Sequence, residues 1–328
     1  MKRRDVLLAC TALVLAGPAA AQTTGKVRRI GTLGNLPPSD SAARPPWEQF
    51  LAALREQGWV EGDNLVVLAR WADGRPDRYP QLADELIALQ AEVIVAFGGS
   101  YPTQILKQRT TSIPIVMLNT SYPVESGFVA SLARPGGNIT GITNQLQDLS
   151  LKNIELMREL VPGLQRFGLI WEPDNLGSRL AAAEFQEGAP GVGVTLISAP
   201  LRSADGLDAA FDILVGGRAQ AVLIHPTPIA SRQRARIIQF AIARRLPTLT
   251  PADVHMRAGY LVSYGPDWIE MHRRAAHYVD RILRGAEPAE LPVEQPTRFT
   301  LGFNLRTAQA IGLEIPPTLL LRADEVVE

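Results

Sequence analysis

The chain has 328 residues, 46% hydrophobic and 20% charged, with 33 basic residues against 33 acidic ones. That length and apolar content suffice for two packed cores. The balanced charge excludes a strongly basic nucleic-acid binder and an acidic disordered tail.

Residues 1–21 read as a signal peptide. Lys2, Arg3 and Arg4 form a positive start, Val6 to Leu15 an apolar run, and Ala19-Ala20-Ala21 a small-residue cleavage site before Gln22. A membrane anchor needs about 20 apolar residues, more than this run holds. Arg3-Arg4 also resembles a twin-arginine export signal, so either export route is open. Leu7-Leu8-Ala9-Cys10 looks like a lipoprotein box but leaves too short an apolar region before Cys10, so no lipid anchor is expected. Three basic residues and Asp5 leave with the peptide, so the remainder has a net charge of −2 and no cysteine. Without disulfides or a thiol nucleophile, a periplasmic protein held by packing alone is expected.

Strand and helix patterns then alternate. Val27 to Leu33 reads as a strand. Pro45-Pro46 opens a helix with Trp47, Phe50, Leu51 and Leu54 at helical spacing, stopped by Gly58. Asn64 to Trp71 alternates as a strand, and Asp77 to Leu89 is a helix. Glu92 to Phe97 is a short apolar run before Gly98-Gly99, suited to a strand buried on both faces. A helix over about 102–109 and a strand from Ile113 to Leu118 follow. This order predicts a parallel sheet with helices on both faces.

Ile139 to Thr143 reads as a strand on which the chain leaves this unit for a second one. There the pattern restarts: helix Leu149 to Leu160, strand Phe167 to Trp171, helix Ser178 to Gln186, strand Val192 to Ser198 and helix Leu207 to Val215. Strand Ala221 to Ile224, one helix from Ile229 to Arg244, and strands Pro247 to Thr250 and Gly259 to Tyr264 complete it. A long helix, Trp268 to Leu283, a Pro-rich segment, a strand Thr297 to Phe303 and a helix Leu305 to Ile311 are expected to recross between the units. The predicted fold is therefore α/β, two doubly wound parallel-sheet lobes joined by a three-strand hinge. The N-terminal lobe takes 22–140 plus about 266–292, and the C-terminal lobe 141–265 plus about 293–328.

Motifs for catalysis are missing from the sequence. It has no phosphate-binding G-x-x-x-x-G-K-[ST] loop, no H-E-x-x-H, and no G-x-S-x-G, since Gly98-Gly99-Ser100 lacks the second flanking glycine. Gly31-x-x-Gly34 is too short for the dinucleotide fingerprint. His272 and His277 are five apart and share no helix face, so neither metal nor cofactor is expected and the chain is not read as an enzyme. His225 ends a strand, where it either meets a ligand or bonds backbone.

In open parallel sheets, ligands bind beyond the carboxyl ends of the strands. Those ends carry Gly34 and Asn35, then Gly99 and Ser100, then Asn119 to Tyr122, then Asn175, Thr227 and Thr250. Thr143 ends the crossing strand. Ser100 and Thr103 start a helix, where backbone N–H groups hold a carboxylate or Ser100 simply caps. Tyr122 and Tyr264 are candidates for an aromatic wall, whereas Trp171, inside a strand, reads as core. Asp174, Asn175 and Asp253 suit an ammonium group, or are ordinary loop residues. The predicted partner is a small molecule, and no nucleic acid.

Several stretches together resemble the family of ABC-transporter substrate-binding proteins that take up tryptophan or related amino acids. They are Ile113-Pro114-Ile115-Val116 leading to Tyr122-Pro123-Val124, Ser131-Leu-Ala-Arg-Pro-Gly-Gly-Asn-Ile-Thr-Gly141 and Ser263-Tyr264-Gly265-Pro266. Tyr278-Val-Asp-Arg-Ile-Leu-Arg-Gly285, Leu291-Pro-Val-Glu-Gln-Pro296 and Arg322-Ala-Asp-Glu-Val326 complete the set. The resemblance implies a type I periplasmic-binding fold with three interlobe crossings, a monomer that closes on its solute, and transient delivery to an ABC permease. The sequence departs from the family at Tyr122, where an Asp is common, and in Gly99-Ser100-Tyr101-Pro102-Thr103, where a small residue and Pro-Ala are common. The two extra tyrosines favour a flat aromatic or otherwise apolar solute with a carboxylate. A ligand-sensing partner of a signalling receptor is the alternative, and an exported enzyme on the same scaffold a more distant one.

Overall fold

The computed structural model describes residues 26–144 and 149–328. The expected signal peptide lies outside them. The first lobe runs β1 (Arg28–Gly34), α1 (Arg44–Glu56), β2 (Leu65–Trp71), α2 (Tyr79–Ala88), β3 (Val93–Ala96), α3 (Ser100–Arg109), β4 (Ile115–Thr120) and β5 (Ile139–Thr143). The strands form one parallel sheet in the order β2-β1-β3-β4-β5. β3 and β4 are buried along their whole length, as the apolar runs over 93–96 and 115–118 require.

The second lobe contains α4 (Ser150–Leu160), β6 (Arg166–Trp171), α5 (Leu176–Gly188), β7 (Thr195–Pro200), α6 (Leu207–Gly216) and β8 (Ala221–Ile224). It continues with α7 (Pro228–Arg232), α8 (Arg234–Arg244), β9 (Thr248–Thr250), α9 (Asp253–Arg257) and β10 (Val262–Pro266). Next comes α10 (Trp268–Leu283), and then β11 (Phe299–Asn304), α11 (Leu305–Ile311), α12 (Pro317–Leu320) and β12 (Glu325–Val327) return to this lobe. Its sheet has the order β12-β11-β10-β9-β8-β6-β7, with only the β10–β11 pair antiparallel.

α10 follows a strand of the second sheet but packs on the first. Met271, Ala275, Ala276, Val279 and Leu283 are buried in one core with Phe50, Leu54, Val95, Val116 and Leu118. Its polar side is tied to the same lobe: Arg273 reaches Glu56 at 2.6 Å, and Trp59 Nε1 donates to Asp280 Oδ1 at 2.8 Å. The return passage runs beside β5, where Glu294 N donates to Gly141 O at 2.9 Å and Thr143 N to Glu294 O at 3.0 Å. The chain thus changes lobes beyond Thr143, after Pro266 and after Glu294.

Three expectations need correction. β5 is the edge strand of the first sheet, so the lobe change falls after Thr143 and not at Gly141, because β4 offers β5 its free edge. The helix expected over 229–244 is two helices broken at Gln233, whose φ of −87° and ψ of 8° end the first of them. Finally, β10 starts at Val262 because α9 and its turn occupy the preceding residues.

Candidate functional site

The carboxyl ends of both sheets face each other across a cleft, and the lobes touch over it. Arg234 Nη2 donates to Asp40 Oδ2 at 3.0 Å, Arg232 pairs with Asp73 at 3.2 Å, and Asn35 Nδ2 donates to Pro228 O at 3.4 Å. The Tyr122 hydroxyl donates to Glu184. Burial pushes the Asp40 carboxyl up, but Arg234 and the Ala42 N–H outweigh it and hold the group below its ordinary value. A Cβ on Gly177 would fall 2.5 Å from Ser100 Oγ, so the N-terminal ends of α3 and α5 are in contact across the gap. The cleft is closed.

Two adjoining chambers lie inside. The larger encloses about 670 Å³ of empty space, part of it open to solvent. Its wall is aromatic: Trp47, Trp71, Phe97 and Trp268. Trp47 meets Trp71 edge-on at 5.2 Å and Phe97 at 5.8 Å, the T-shaped geometry that ring quadrupoles favour. His272 stacks on Phe97 at 5.2 Å, and its Nδ1 lies 2.6 Å from Trp268 O. Gly34 makes the wall possible, since a Cβ there would fall 2.2 Å from the Trp71 ring. Thr227, His255 and the start of α7 close the far side.

The second chamber, about 320 Å³, is polar. Gly99 and Ser100 at the start of α3, Asn119 near the end of β4 and Ser121 just after it, and Asn175 and His225 from the second lobe line it. Asn119 and Pro226 belong to both chambers. Among the described residues, no Asp, Glu, Lys or Arg lines either one. Burial depresses His225 and His272 to about 4, and His255 to about 3 with a smaller push from Arg234, so all three are neutral at pH 7. Beneath the floor, Glu172 accepts from Ile229 N at 2.7 Å and Ala230 N at 3.2 Å, capping α7. Burial raises it to about 7 nonetheless.

The structure brings five of the predicted site residues to the lining: Asn35, Gly99, Ser100, Asn175 and Thr227. Gly34 stands behind Trp71. Ser100 is no cap, because Gly99 holds that position and the Ser100 hydroxyl donates to Ser121 O at 3.3 Å. Asn175 does cap, accepting from Ser178 N at 3.1 Å. The other predicted residues lie elsewhere. Thr103 is turned inward to Gly99 O and Thr120. Thr143 pairs with the return passage, and Thr250 Oγ1 accepts from Ala252 N. Tyr122 spans the lobes at Glu184 rather than walling the chambers. Asp253 pairs with Arg257 at 3.1 Å while its helix presents Val254 and His255 instead. Tyr264 lies on an outer groove beside Leu156 and Arg322. Trp171 packs against the second core, with Nε1 on Ser198 Oγ at 2.8 Å.

Asn119 and His225, named from sequence only as strand-end residues, also reach the lining, whereas the aromatic wall, His255 and His272 were not chosen as ligand contacts. Trp71 and Phe97 sit at or just past the ends of β2 and β3, so the strand-end rule reaches them. Trp47 and Trp268 open helices, and their spacing matches that of core residues.

Comparison with known proteins adds to this geometry. The family model described as ABC transporter substrate binding protein matches residues 43–327. A tyrosine-binding protein of Clostridioides difficile is 22% identical over 265 residues, covering 81% of this chain and 76% of that protein. A conserved domain protein of Vibrio cholerae superposes with a TM-score of 0.84 at 23% identity, covering 92% of this chain and all of the other. An ABC domain of Streptococcus pneumoniae in complex with L-Trp gives 0.82 at 20% identity, covering 92% of this chain and 99% of the other.

Proposed function

This chain belongs to the ABC transporter substrate binding protein family, and from that premise we propose that it captures a small aromatic solute between its lobes outside the cytoplasmic membrane and delivers it to an ABC permease. The observation that carries the proposal is the closed interlobe cleft, in which three tryptophans and a phenylalanine flank a polar chamber. Flat rings bury large apolar area in such a slot. The relatives named for tyrosine and L-Trp support an aromatic solute. One chain supplies both halves of the cleft, so the proposed capture needs no second copy.

Closure is a population shift. A solute touching both lobes favours the closed form by its differential affinity, and the permease then meets a closed, loaded protein. In this reading the motion is carried by the three passages between the lobes.

A thermal-shift screen of aromatic solutes on protein stripped by unfolding and refolding tests this reading. A ligand at 100 times its Kd adds about 2.7 kcal/mol of apparent stability, which raises Tm by several degrees. Mass spectrometry of material that co-purifies from the native host should find the same compound. Uptake of that compound should fall when the protein is deleted. If no aromatic solute shifts Tm and nothing co-purifies, the reading is wrong.

A further inference from the structure

Asn119 is held in an unusual way. It occupies the irregularity at the end of β4, where the register with β5 shifts between Leu118 and Thr120, and its φ is +58°. Strand irregularities of this kind re-aim a side chain, and Asn tolerates the left-handed region better than most residues. The backbone is pinned, since Asn119 O accepts from Asn144 Nδ2 at 2.9 Å. The side-chain amide is not. It is 4% exposed, stands where the two chambers meet, and has no hydrogen-bond partner among the described residues at either Nδ2 or Oδ1. His225, 6% exposed on the same chamber, likewise has no partner at either ring nitrogen.

A buried amide presents a donor and an acceptor side by side in one plane. Its complement is a planar edge with C=O next to N–H. Neutral imidazole adds one more donor and one more acceptor. The rings of Trp47, Trp71, Phe97 and Trp268 accept a flat body next to that edge. A zwitterion fits this lining poorly. Its ammonium would be desolvated with no carboxylate opposite it among the described lining residues, and burial of an unpaired charge is far costlier than burial of a paired neutral group.

We propose that the cleft selects a flat, uncharged heteroaromatic solute whose lactam-type edge, N–H beside C=O, pairs with the Asn119 amide, in preference to a zwitterionic amino acid. This rests on the aromatic-solute reading and names its chemical class.

The test is calorimetric titration of the stripped full chain with five probes. Quinolin-2(1H)-one and thymine carry the edge. N-methylquinolin-2-one keeps the ring and carbonyl but loses the N–H donor. L-tryptophan and L-tyrosine are the zwitterions. Binding of an edge-bearing probe at least tenfold tighter than the N-methyl compound and both amino acids is expected. Asn119→Gly, which suits the positive φ, and Asn119→Ala, which strains it, both remove the amide, and each should bring the edge-bearing probes to within about twofold of the N-methyl compound measured on the same variant. Tighter binding of either amino acid than of both edge-bearing probes overturns the inference yet leaves the aromatic-solute reading standing. Unchanged discrimination in the two variants also overturns it. Silence from all five probes removes both.

Discussion

Gly34 and Glu172 shape the cleft from behind its lining. At Gly34 the Trp71 ring occupies the space of a side chain. Gly34→Ala should move that ring and weaken solute binding at least tenfold, with a stability loss of about 1–3 kcal/mol for the overpacking, read by calorimetry and urea unfolding. Glu172 gives a pH signature. Its carboxyl is raised by burial from 4.5 to about 7 in the folded protein. Between those values the native state holds a proton that the unfolded chain has lost. Its contribution to stability is therefore complete below about pH 4.5 and is lost as pH rises through 7, on the order of 3 kcal/mol in all. Glu172→Gln keeps an acceptor for Ile229 and Ala230 and should abolish this slope. The depressed histidines act in the opposite sense, stabilising above pH 6.5 and losing that as pH falls, but they are common to both proteins and cancel in the difference. Parallel urea midpoints for the two proteins from pH 5 to 8 would refute the assignment. Neither role was legible in the sequence. Nothing in the sequence sets Glu172 apart from other acids that follow a strand, and a glycine after a strand does not announce which ring lies against it.

Elements were read well where one periodicity ruled. The buried runs of β3, β4 and β8, and the stripe along α10, fix type and place because each buries one defined set of apolar residues. Reading failed where local and tertiary demands diverge. Continuous helical spacing across Gln233 hid the break between α7 and α8, and it gave no sign that Glu172, from another element, holds the start of α7. α10 itself begins inside the cleft: Asp267 caps it, accepting from Glu270 N at 3.0 Å, and Trp268 and His272 occupy its first turns. Asp267→Ala should cost about 1 kcal/mol and also weaken solute binding, because the loosened turn carries the wall. Asp267→Asn retains a capping oxygen and should restore both. A stability loss with unchanged affinity would show that the wall does not depend on the cap.

For the molecule as a whole, the two-lobe plan was legible from the restarted strand–helix order, and the chain's three passages between lobes follow from where the sheets end. What sequence order cannot show is which side chains meet only on closure. Asp40–Arg234 is such a pair, formed between α1's approach loop and α8. A partly exposed ion pair is worth up to about 1 kcal/mol. Asp40→Asn should lower the closed fraction and weaken solute affinity up to about fivefold, while small-angle scattering of the unliganded protein should show a larger radius of gyration. Identical scattering and affinity in the variant would mean that the pair is incidental to closure.

The tryptophan wall has an optical consequence. The chain holds five tryptophans. Trp47, Trp71 and Trp268 face the cleft, while Trp59 lies under Arg284 and Trp171 is fixed on Ser198. Three of the five indoles thus line the slot, so loading should change the wavelength and intensity of the intrinsic emission. The protein is its own unlabelled reporter, and the wavelength and quenching of that light register occupancy of the slot directly.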